Sequence, residues 1–189
     1  MMRSSFIAVL ALGSAALFVG QANAAEAVIG GKLAPSCYQI AETGGDAQHG
    51  IDLCTRALET DVLDSHDRSA TYINLGVLQA RAGERQSALD SYNKAVAGDA
   101  DIAEAYVDRS STLIAMKDYS GALADAQKGI SMGARFPEVA LYNRAVAEEG
   151  LGDFTSAYRD LRQAVSLVPG FTQAKQELGH FKLVSDGTA

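Results

Sequence analysis

Asp61, Asp64, His66 and Asp67 fall within seven consecutive residues and form the densest group of proton-handling side chains in the sequence. An imidazole between carboxylates is the arrangement a general base needs, with one acid orienting the ring. Acyl-transfer chemistry would also need a matched nucleophile, and nothing near it supplies one. A run of Asp, Ser and His leading into a helix more simply reads as a solvated linker, with Asp67 or Ser69 capping the helix that follows. A small hydrolase centred on His66 is kept as an alternative. His180 falls in a closing amphipathic stretch, where it packs or meets water. Gly30-Gly31 has no strand before it and no Gly-Lys-Ser after it, so it is not a phosphate loop. Gly44-Gly45 reads as a turn. No cofactor and no catalytic residue follow from these patterns.

Cys37 and Cys54, 17 positions apart, are the only cysteines. With His49 and His66 they could supply four zinc ligands, but the short Cys-to-Cys spacing of zinc modules is missing. A disulfide is the simpler expectation. Closing a loop of this size stabilises by about 3 kcal/mol in the chain-entropy treatment.

The elements that position these residues lie between two distinctive ends. Residues 1–24 read as a cleaved signal peptide, with Arg3, an apolar run from Phe6 to Val19 and the small-residue site Ala22-Asn23-Ala24. That run of 14 residues is shorter than the roughly 20 a spanning helix requires. Cleavage would leave 165 residues carrying 15 basic and 23 acidic side chains. That is enough for one well-buried domain. Its acidity argues against nucleic acid or an anionic membrane surface as partner.

Three stretches superpose at steps of 34 and 35 residues: Tyr72 to Val96, Tyr106 to Ile130 and Leu141 to Val165. Periods of this length mark stacked helical hairpins. Tyr72, Leu75 and Gly76 recur as Tyr106, Arg109 and Ser110, then as Leu141, Arg144 and Ala145. Small residues at Gly76, Ser110 and Ala145, and at Ala88, Ala122 and Ala157, permit close helix contact. Ala82-Gly83-Glu84, Lys117-Asp118-Tyr119 and Gly152-Asp153-Phe154 separate the two helices of each unit, with Gly83 and Gly152 suited to a left-handed helix terminus. Helices of about 13 residues are marginal alone, so stacking must sustain them.

On these residues the chain resembles the tetratricopeptide-repeat (TPR) family. Leu141-Tyr142-Asn143-Arg144-Ala145, Leu151-Gly152-Asp153-Phe154, Ala157-Tyr158, Ala164-Val165 and Pro169 carry the closest match. Tyr72-Ile73-Asn74-Leu75-Gly76, Gly83, Ala88-Leu89, Tyr92 and Ala95-Val96 carry the next. Where the family often places an aromatic residue after the small slot, this chain has Gln79, Leu113 and Glu148. The resemblance implies an all-α fold, with antiparallel hairpins stacked as a short right-handed superhelix. Residues 25–68 would form a degenerate, disulfide-stapled opening hairpin with a short first helix around Ser36 to Glu42. Residues 69–170 would hold three repeats, and residues 171–189 a capping helix and frayed tail.

The family lines a concave groove with the first helices of its repeats. Carried over slot by slot, that groove would comprise Ile73, Asn74, Val77 and Arg81, then Glu104, Val107, Asp108, Ser111 and Ile114, then Tyr142, Asn143, Val146 and Glu149, its inner surface either free or covered by the chain's own helices. No Lys falls in it, and Glu104, Asp108 and Glu149 would repel an acidic peptide tail. A peptide with apolar anchors and a basic group fits better. The expectation is an exported, most simply periplasmic, adaptor or scaffold without catalysis. Its partner would be a protein or peptide that the residues do not identify. A self-associating envelope protein is the other alternative.

Overall fold

The computed structural model describes residues 25–28, 30–99 and 101–181. Nine α-helices and no strand occur among the described residues. They are α1 (Ala34–Thr43), α2 (Ala47–Thr60), α3 (Ser65–Arg81), α4 (Arg85–Gly98), α5 (Ala103–Ala115), α6 (Tyr119–Ser131), α7 (Pro137–Gly150), α8 (Phe154–Leu167) and α9 (Thr172–His180). The expected signal peptide and the residues after Phe181 lie outside the described residues.

Local chemistry sets the helix ends. Asp46, Asp64, Asp118 and Asp153 cap α2, α3, α6 and α8 with side-chain bonds to backbone N–H groups of the first turn. The cap of α3 is therefore Asp64, which accepts from the Asp67 N–H at 2.8 Å, and not Asp67 or Ser69. The helix begins at Ser65, ahead of the expected boundary. Gly83 and Gly152 end α3 and α7 in left-handed backbone at φ 80° and 87°. In the middle repeat the same position is Lys117, held at φ 64° without glycine's freedom.

Each odd-numbered helix from α1 to α7 packs antiparallel on its successor, and the next first helix packs on that pair. The first helices also meet one another in order, α1 on α3, α3 on α5 and α5 on α7, to form one layer. Gly76 shows why the small slot matters: a Cβ there would sit 2.7 Å from the ring of buried Tyr92. Arg109 and Arg144 occupy a slot that is apolar in the first repeat. They are accommodated because each forms a bidentate pair with an acid one helix away, Arg109 with Asp125 and Arg144 with Asp160. In the first repeat Leu75 and Ser91 replace the pair, and Ser91 bonds Gln79 at 2.7 Å instead.

The opening hairpin α1–α2 is closed by the Cys37–Cys54 disulfide, with Cα atoms 5.0 Å apart. Both cysteines are thereby removed as zinc ligands, which disposes of the Cys2His2 alternative. Leu33, at the cap position of α1, offers no side-chain cap. Asp61, from beyond α2, replaces it by accepting from the N–H groups of Lys32, Leu33 and Ala34 at 2.8, 2.7 and 3.0 Å. Burial raises the Asp61 pKa, but these three donors outweigh it and hold the carboxyl below its ordinary range. At the other end of α1, Arg81 donates to the carbonyl oxygens of Ile40 and Ala41.

Candidate functional site: the inner face of the first helices

Asn74, Asp108 and Asn143 share one register position on α3, α5 and α7, and all three are buried. Asn74 uses both ends of its amide on a single residue. Its Oδ1 accepts from the Glu26 N–H and its Nδ2 donates to the Glu26 carbonyl, each at 2.8 Å. Four residues further on, the Gly30 N–H donates to Asp67 at 2.8 Å. Contact thus moves from Asn74 back to Asp67 as the segment advances from Glu26 to Gly30, so this segment lies along α3 in the opposite sense. Ala25 joins the buried cluster containing Ile73, Val77 and Ala105, and Val28 joins the one containing Ala34, Ala57 and Ala70.

Of the two expectations for the inner surface, cover prevails over much of it. Ile73, Asn74, Val77, Val107, Asp108, Ile114, Tyr142 and Asn143 are buried, while Arg81, Glu104, Ser111, Val146 and Glu149 are half-buried. At one end, residues before α1 cover Asn74. At the other, Phe171 at the start of α9 brings its ring to 5.4 Å from that of Tyr142. Glu177 of α9 adds its charge to burial in raising the Glu149 pKa. Ile73 shares its cluster with Ala25 and Tyr142 meets Phe171, whereas Val107 packs with Ala103, Ala134 and Ala140 and Ile114 with Ala122 and Ala147, inside the repeats themselves. Leaving such side chains wet would forgo roughly 25 cal/mol for each Å². What stays partly open is the middle, around Glu104, Ser111 and Val146.

The middle carries polar functions. Asn143 donates to the Val107 carbonyl at 3.1 Å and to the hydroxyls of Ser110 and Ser111 at 2.9 and 2.8 Å. Its Oδ1 is buried without a hydrogen-bond partner. Arg135, between α6 and α7, donates from Nη2 to Glu26 Oε2 at 2.9 Å, and its backbone N–H donates to Glu104 Oε1 at 2.8 Å. Burial, with Glu104 nearby, raises the Glu26 pKa, and Arg135 opposes the shift. Glu26 and Arg135 escaped sequence reasoning because neither lies in a repeat slot. A Glu ahead of α1 and an Arg between two hairpins carry no periodic mark.

The acidic cluster around His66 does not assemble a catalytic group among the described residues. Asp61 caps α1, Asp64 caps α3 and Asp67 binds Gly30. His66 is exposed and its Nδ1 lies 2.8 Å from Asp99 at the end of α4. That bond raises the imidazole pKa above its usual 6.5, against a smaller effect of burial. No group of three or more metal-ligating residues occurs among the described residues.

No family model matches the chain. The chain is 33% identical over 94 residues to protein unc-45 homolog B of Danio rerio, covering 47% of this chain and 10% of that protein. It spans no more than about a fifth of the length of the curated relatives it matches, 10% and 22% of the first two. Among solved structures, MamA superposes with a TM-score of 0.63 at 23% identity, covering 76% of this chain and 80% of the other. The second TPR domain of human RPAP3, solved in complex with an HSP70 peptide, superposes with a TM-score of 0.57 at 23% identity, covering 61% and 95%.

Proposed function

Starting from a tetratricopeptide-type solenoid, we propose that this protein is an exported interaction module. It holds a peptide or protein partner on the inner face of its first helices and performs no covalent chemistry. The observation that carries the reading is the grip of Asn74 on the backbone of Glu26, which shows that this face can seat an extended chain. The peptide in the RPAP3 complex is a parallel on a similar fold. Export, with a periplasmic destination, follows from the signal-like residues 1–24, and the Cys37–Cys54 disulfide suits an oxidising compartment.

Photo-crosslinking tests the module. A crosslinker replacing half-buried Ser111 on the inner face captures one defined partner in the native envelope, while one replacing exposed Gln163 on α8 does not. Capture from position 163 alone would refute an inner-face site.

A further inference from the structure

We propose that the Asn74–Arg135 region selects an extended segment in the order small, acidic, any, apolar, and that residues 25–28 occupy it in cis until such a segment displaces them. This rests on the module reading above and names the chemistry of its partner.

The seated segment is the template. Asn74 pairs with the N–H and C=O of one residue, a pattern indifferent to that residue's side chain but demanding an accessible, extended backbone. Selectivity then comes from the neighbours. Ala25 is buried at 5% exposure, where a small residue fits against the first-helix layer. The next side chain, Glu26, meets Arg135, the cation that Glu104 holds in place. Val28 is again buried, at 6%. Small, acidic, any and apolar is the resulting order. An acid is thus accepted on a face whose own carboxylates had argued for a basic ligand, because Arg135 reaches in from outside the repeat slots.

The segment is also built to leave. Gly30 and Gly31 separate it from α1, and Gly31 is in left-handed backbone at φ 83°. Beyond that hinge, Asp61 holds the first turn of α1 and the disulfide holds its body. Residues 25–28 can therefore detach without unfolding the hairpin behind them. Their ties are two hydrogen bonds to the Asn74 amide, an ion pair to an Arg side chain that is 49% exposed, and two small apolar contacts. Such a tether competes mainly through its high local concentration, millimolar for short links.

The test uses the full chain with Glu26→Lys and Val28→Asp, and Glu26→Lys alone as a milder second variant. The probe is a labelled, capped peptide with the sequence of residues 25–31, followed by fluorescence anisotropy. The loosened chain is expected to bind it at least tenfold more tightly than the parent. A peptide with Lys in place of Glu should bind at least tenfold more weakly. Adding Arg135→Glu to the loosened chain should reverse that preference. Equal binding by parent and loosened chains overturns the cis occupancy. Equal binding of both peptides overturns the acidic preference while leaving a peptide-binding face. No binding of either peptide overturns the proposal, and the crosslink at position 111 then decides separately whether the module reading survives.

Discussion

Glu148 carries a buried cost whose removal should stabilise the protein above neutral pH. It stands on α7 in a slot where the family often places an aromatic ring, and its Oε2 is buried with no hydrogen-bond partner. Burial first, then the nearby charges of Asp160 and Asp153, raise its pKa from 4.5 to about 7, against the pull of Arg144 and Arg159. A folded-state pKa raised in an acid means that folding is unhindered while the group is protonated in both states, below about 4.5. Stability is then lost as pH rises toward 7, and the loss is complete above it. At about 1.4 kcal/mol per pKa unit the full shift corresponds to roughly 3 kcal/mol, and partial solvent screening reduces this to about 1–2 kcal/mol. Glu148→Gln keeps the shape and cannot ionise. Urea unfolding followed by far-UV circular dichroism, at pH 4 and pH 8, isolates the ionic part, because both side chains are neutral at the lower pH. The variant should gain about 1–2 kcal/mol over the parent between pH 4 and pH 8, read as a higher urea midpoint at pH 8. An unchanged difference between the two pH values would refute the burial argument.

Gly76→Ala should cost about 1–3 kcal/mol in the same unfolding assay, because the added methyl would sit 2.7 Å from the Tyr92 ring in a filled core. Lys117→Gly should stabilise by roughly 1 kcal/mol, since it relieves a left-handed backbone that the other two repeats give to glycine. Opening the Cys37–Cys54 disulfide with reductant, or replacing both cysteines with Ser, should lower stability by about 3 kcal/mol and increase proteolysis of α1 before that of the repeats. His66→Ala should weaken the protein at pH 5.5 but not at pH 9 in thermal melts. The raised imidazole pKa gives a contribution that is full below about 6.5 and disappears as pH climbs through the folded value.

The repeat architecture was legible because it depends on short-range rules applied three times in register. Gly83 and Gly152 announced the helix ends, and Gly76 with Ala88 announced the close packing, since each is dictated by space within one hairpin. The disulfide was legible from cysteine count and position. The Arg109–Asp125 and Arg144–Asp160 pairs repeat at the same period, so their signal was present, though a charged residue in an apolar slot explains itself only when its partner is seen one helix away.

The state of the inner face belonged to a different order of information. Residue types at Ile73 and Tyr142 specify an apolar layer, and by themselves they determine that something must cover it. Whether that cover is another protein or the chain's own ends depends on where Glu26, Arg135 and Phe171 arrive in space, 109 positions apart in the case of the first two. Periodicity follows from local geometry and is written in the sequence. Occupancy follows from long-range closure, and only the folded chain decides it.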